Sequence, residues 1–154
     1  MKNIHKPQIK LFLNIFLFLN VFISLNLSCI AHLHSERSYQ NAWCSVNDGI
    51  EEYRNKDHTR VDCLTDTHAV EFDFANKWAE SVGQALHYQL MTNKRAKVVL
   101  ILEDLTHQKI YYNRVLALSR IYDFDVEYIT TEILNINEGK CNNPHCKCNK
   151  LSKT

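Results

Sequence analysis

Between residues 68 and 75 hydrophobic and polar positions alternate. Val70, Phe72 and Phe74 fall on one face and Glu71 and Asp73 on the other, the period of two that a strand imposes on its side chains. Residues 96–102 (AKVVLIL) form a short β-branched run without alternation, as expected of a strand covered on both faces. Between these runs the period lengthens: Trp78, Val82, Ala85 and Leu86 share one face of a helix expected over 77–92, with Asn76 as its cap. Tyr111, Val115, Leu118 and Tyr122 repeat at helical spacing and predict a second amphipathic helix, followed by a last strand over 126–130. Upstream, Tyr39 and Trp43 lie four apart and predict a short helix over 36–43, which Gly49 should break. Residues 50–54 and 60–64 read as two strands around the polar Asn55-Lys56-Asp57-His58, a hairpin signal. The order α-β-β-β-α-β-α-β predicts an α/β domain with a mixed sheet flanked by helices.

The ends of the chain read differently. Lys2, His5, Lys6 and Lys10 precede an apolar stretch over 11–27, and Cys29-Ile30-Ala31 supplies small residues at a cleavage site, the parts of a secretory signal. Cleavage is expected after Ala31. A retained membrane anchor competes, since no Asp, Glu, Lys or Arg occurs between Lys10 and Glu36 and ~20 apolar residues can span a bilayer. Asn14, Asn20 and Asn26 make that span a poor one. Lipid attachment at Cys29 is disfavoured by Asn26 and Leu27 before it. The expectation is therefore an exported protein, periplasmic or secreted, that meets a membrane only through residues 11–27 if they are not removed. Residues 32–136 form the folded domain, and 137–154 a polar, cysteine-rich tail.

Composition narrows the function classes. With 154 residues, 45% hydrophobic and 23% charged, and only three glycines and two prolines, the chain is neither disordered nor collagen-like. Net charge is +1, but from residue 32 onward 15 basic residues face 17 acidic ones. A protein that coats nucleic acid by bulk charge is far more basic, so any nucleic-acid chemistry must come from a site. Cys44, Cys63, Cys141, Cys146 and Cys148 would remain after export; outside the cytosol thiols tend to pair, and five is odd. Cys44 and Cys63 are either a disulfide or two buried thiols. Cys141, His145, Cys146 and Cys148 offer a small zinc site, but the spacing matches no common finger, and a disulfide is at least as well supported.

The carboxylates carry the chemistry. Asp62 lies in the second hairpin strand, and Glu71 and Asp73 project from one face of the next; the short link over 65–67 makes the strands neighbours. Two carboxylates brought together need a proton or a hard cation, Mg²⁺ or Mn²⁺ being common partners. On the helix beyond, Lys77, Ser81, Gln84 and Tyr88 form one polar stripe, with the ionic, hydrogen-bonding and stacking groups that suit a phosphate-bearing substrate. Each element taken singly has a plainer reading, since Glu-x-Asp on a strand is usually a solvated face; it is their order and spacing together that point to a site. Trp43 and Trp78 are expected in the core, His68 and His87 at the periphery, and Arg114 and Arg120 on the solvated side of the second long helix.

An acid on a hairpin strand, then Glu-x-Asp on the next strand, then a helix resembles the PD-(D/E)XK nuclease superfamily, the restriction-endonuclease-like fold. Residues 60–103 match its catalytic core, and the flanking elements extend the match over 35–130. Gln84-Ala-Leu-His-Tyr88 resembles the Gln-x-x-x-Tyr motif of the RecB-like branch, and RVDCLTDTHAVEFDFANKWAE is similar to a stretch in small uncharacterised members of the superfamily. The resemblance implies Asp62 and Glu71 as metal ligands, Glu36 as an auxiliary acid, and Gln84 and Tyr88 as substrate contacts. It also implies a departure: the third motif residue is normally Lys and here is Asp73, so Lys77 stands in the place of a migrated lysine, with Asp73 a further ligand or its holder. The implied activity is Mg²⁺-dependent hydrolysis of phosphodiester bonds in DNA or RNA. The competing expectations are a catalytically inactive nucleic-acid-binding protein of the same fold and a periplasmic interaction module acting through its tail.

Overall fold

The computed structural model describes residues 32–134. Within them five strands, β1 (Ile50–Arg54), β2 (Arg60–Leu64), β3 (His68–Phe74), β4 (Arg95–Ile101) and β5 (Asp125–Ile129), form one sheet in sequence order. β1–β2 and β2–β3 pair antiparallel, whereas β3–β4 and β4–β5 pair parallel. The parallel pairs are joined by helices α2 (Trp78–Thr92) and α3 (Leu105–Tyr122), and α1 (Glu36–Val46) precedes the sheet. The fold is α/β with a mixed five-stranded sheet flanked by helices. The apolar leader and the tail with Cys141, His145, Cys146 and Cys148 lie outside the described residues, and among those described no helix is long and apolar enough to cross a membrane.

Strand periodicity divides the core in two. Val70, Phe72, Phe74, Val99, Ile101 and Ile129 point to one face, where Tyr39 and Trp43 of α1 cover them. Ala96, Val98 and Leu100 point to the other, beneath Ala85 and Val115 with Trp78, Val82, Leu86 and Leu118 of α2 and α3. Fully burying one such side chain contributes roughly 1.5–3 kcal/mol. Cys44 and Cys63 are joined, their Cα atoms 5.8 Å apart, so α1 is covalently tied to β2.

Local chemistry explains most boundaries and corrects several expectations. Ser35 caps α1 by accepting from Ser38 N–H, and Asp104 caps α3 by accepting from His107 N–H. α1 runs past residue 43 to Val46 and ends at Asn47, whose side chain donates to the Trp43 carbonyl at 2.8 Å. Gly49 therefore does not break it; a Cβ there would lie 2.2 Å from Cys63 Sγ and 2.6 Å from Cys44 Sγ, so the disulfide requires glycine. Asn76 is not the cap of α2. Ala75–Lys77 form a 3₁₀ turn and the helix starts at Trp78, neither start having a side-chain cap; Asp73 accepts from Phe74 N–H at 2.9 Å just before the turn. Ser81 is fully buried, its hydroxyl turned back to the Trp78 carbonyl, and is not part of an open polar stripe. Tyr122, expected on an apolar face, stands exposed at the last turn of α3.

Candidate functional site

The β2–β3 ladder pairs Leu64 with Ala69 and Cys63 with Val70. One step further would set Asp62 opposite Glu71, and there the ladder stops. The Asp62 carboxylate itself accepts from Phe72 N–H at 2.8 Å, while its carbonyl accepts from Gln40 Nε2 of α1 at 2.6 Å. The parting of the strands leaves room for acidic side chains where a backbone bond would otherwise lie. Glu71 and Asp73 follow on the α2 side of β3, only 4% and 3% exposed. Asp73 holds Lys77 Nζ at 3.4 Å, and Glu36, in the first turn of α1, adds a fourth carboxyl beside Asp73 and Asp62.

Four carboxyls crowded out of water cannot all be charged. Burial foremost, then the charges of Asp62, Asp73 and Glu36, pushes Glu71 far above the carboxylate range. Asp62 is raised by burial, partly offset by the Phe72 N–H it accepts. Glu36 rises to about 7 through burial and then the Asp73 and Asp62 charges. Asp73 is raised by burial against the opposing pull of Lys77, whose own pKa Asp73 raises, so the ammonium stays charged. Glu71 also keeps one buried oxygen, Oε2, without a hydrogen-bond partner. Leaving such an atom unpaired usually costs about 1–3 kcal/mol, although Asp62 and Tyr88 lie close enough to the same carboxyl to influence it.

These side chains open into one cleft of about 490 Å³, lined by Glu36, Asp62, Glu71, Asp73, Lys77, Gln84 and Tyr88. Every candidate site residue within 32–134 is thus brought to one place. Tyr88 O–H donates to Gln84 Oε1 at 3.2 Å, and burial with the Glu71 and Asp62 charges raises its pKa, keeping it a donor. The plainer reading of Glu-x-Asp as a solvated face does not hold: α2 covers it. The opposite wall, which sequence reasoning missed, is the β1–β2 hairpin, contributing Arg54, His58, Thr59 and Arg60. The signal was present, since strands over 50–54 and 60–64 set Arg54 directly across from Arg60. Outside the cleft, His68 binds Asp125 and Trp43 donates to Glu127, in the peripheral and core places expected of them. Arg114 lies over the rings of Trp78 and Tyr111 and is not simply solvated.

Among the described residues no three acidic, histidine or cysteine side chains already stand in a ligating array; Asp62 and Asp73 are turned to backbone N–H groups and Lys77. The donor chemistry nevertheless fits a hard divalent cation: carboxylate oxygens throughout, with Glu71 Oε2 buried and unpartnered. Comparison of the chain with protein-family models, curated proteins and solved structures finds no match.

Proposed function

We propose that this protein is a metal-dependent nuclease with a restriction-endonuclease-like domain, acting on phosphodiester bonds of DNA or RNA after export. One observation carries the reading: Glu36, Asp62, Glu71 and Asp73, from three separate elements, share a cleft with a charged lysine, and one Glu71 oxygen is left without a partner. Asp62 and Glu71, with Glu36 as auxiliary, would hold Mg²⁺ or Mn²⁺. When bound, such an ion acidifies water and neutralises the charge that builds on the phosphorane. The protein's own residues divide the remaining work. Lys77, fixed by Asp73, orients the attacking water and stabilises hydroxide in place of the usual motif lysine. Gln84 and Tyr88 donate to the substrate phosphate from the helix wall. Phosphodiester hydrolysis depends chiefly on electrostatic stabilisation, so loss of one ligand carboxylate should raise the barrier by several kcal/mol.

Cleavage of plasmid and RNA by the full chain, with Mg²⁺ against chelator, tests the reading alongside Glu71→Gln and Lys77→Ala. Metal-dependent cleavage by the wild type, lost in both variants, is the expected result. Equal activity in all three would place the activity elsewhere, and binding without cleavage would leave a phosphate-binding protein whose catalysis went with the Lys-to-Asp73 departure.

A further inference from the structure

We propose that the β1–β2 hairpin is a preformed backbone-binding arm, in which Arg54, assisted by His58, holds a phosphate next to the one being cut. This rests on the nuclease reading and specifies how its cleft grips a polynucleotide strand. Arg54 and Arg60 are directly paired across the hairpin, and like charges set opposite each other in a ladder are destabilising. Arg60 is compensated, its Nε lying 2.6 Å from Glu52 Oε2. Arg54 has no ion pair among the described residues, yet it lines the acidic cleft together with His58, Thr59 and Arg60. An exposed guanidinium with no ion pair, at the rim of a cleft, is free to exchange water for an anion, and its planar fork matches phosphate.

The arm is rigid for a short loop. Asn55, buried at the turn, donates from its backbone to the Thr59 carbonyl at 2.9 Å and from its side chain to Thr59 Oγ1 at 3.0 Å. Asp57 accepts from Thr59 N–H at 3.0 Å and reaches across to His87 of α2, 2.7 Å away. The hairpin tip is thereby pinned to the helix that carries Gln84 and Tyr88. A strand lying over the carboxylates would meet the two walls of the cleft: the amide and phenol of the helix on one side and the Arg54 fork on the other. Preorganisation of this kind lowers the ordering cost of binding.

The test is fluorescence anisotropy of short labelled DNA and RNA oligonucleotides on the full chain, in Ca²⁺ so that binding is read without turnover, across a salt series. Arg54→Ala should weaken binding ~5–20-fold and reduce the salt slope by about one. Arg54→Lys should recover part of the affinity, His58→Ala should lose less than Arg54→Ala, and Lys109→Ala on α3 should change nothing. Arg54 is exposed, so an unchanged melting temperature confirms that the fold is intact. Unaltered affinity and slope in Arg54→Ala, while the wild type still cleaves with Mg²⁺, overturns the arm and leaves the nuclease reading standing. Arg54-dependent binding without any cleavage upholds the arm and removes the nuclease reading. A wild type that binds no oligonucleotide removes both.

Discussion

The two faces of β3 are equally buried and chemically opposite. Phe72 is 1% exposed and Glu71 4%, yet Phe72 packs against the Trp43 ring while Glu71 lies among Asp62, Asp73 and Glu36. On the α1 face burial stabilises the fold and a disulfide reinforces it. On the α2 face the same strand, held by the same β4 ladder, carries groups whose burial opposes folding. A residue-wide average of burial would miss the difference. What separates the two faces is whether burial lowers or raises the free energy of the groups buried there. The molecule tolerates the unfavourable face where β2 and β3 part, and the rest of the α2 side, over β4 and β5, is built around an apolar cluster.

That contrast can be broken from either side. Glu71→Gln should cut metal-dependent cleavage at least ~10³-fold, read as kcat on plasmid, and should raise the melting temperature of the metal-free protein. An apolar-face residue would do the reverse: Phe72→Ala should cost about 3–5 kcal/mol in urea unfolding, with any activity surviving in the molecules that remain folded. If Glu71→Gln destabilised the metal-free protein as strongly as Phe72→Ala, the two faces would not differ in kind.

The covalent tie sharpens the comparison next. Replacing Cys44 and Cys63 by Ser together should lower stability by roughly 3 kcal/mol, as loss of a disulfide of this span generally does. Gly49→Ala should destabilise the oxidised protein clearly and the Cys-free variant much less, because the clash is with the two sulfurs; a thermal-melt double-mutant cycle reads the coupling.

The smallest effect is in pH. Glu36, Asp62, Glu71 and Asp73 all have folded pKa values raised above their ordinary values. Between the ordinary and raised values the folded state binds more protons than the unfolded one, so stability falls as pH rises. For Glu36 that window runs from 4.5 to about 7. Metal-free protein should lose stability from its most acidic stable pH to neutrality, read as a falling melting temperature. Mg²⁺, by replacing protons, should restore more at pH 8 than at pH 5. A flat profile, or equal Mg²⁺ stabilisation at both pH values, would mean that the carboxyls are not held together as described.

Much of this was legible along the chain. A period of two located β3, helical spacing the three helices, an apolar run β4 and a polar turn the hairpin of β1 and β2, because side-chain direction follows backbone geometry and each element buries one face or two. The hairpin ends fall where the polar run Asn55–His58 placed them, and the carboxylates were recognisable as a group by their spacing in neighbouring strands. At Gly49 and Ser81 tertiary surroundings outcompeted local propensity: the disulfide set the demand for glycine, and packing of α2 turned the Ser81 hydroxyl inward. At Asn76 a 3₁₀ turn over Ala75–Lys77 takes the place of a capped helix start.

What the order of residues determined by itself is the set of elements and which groups each presents, since these depend on neighbours within a few positions. What only the tertiary structure decided is the depth and company of those groups. Glu71 is an ordinary strand carboxyl until β2 parts from it, α2 covers it and α1 brings Glu36 near. Arg54 is an ordinary surface arginine until the hairpin folds against α2 and turns it into one wall of a cleft. Desolvation and charge proximity arise from segments far apart in the chain, and these are the quantities on which the chemistry of the site depends.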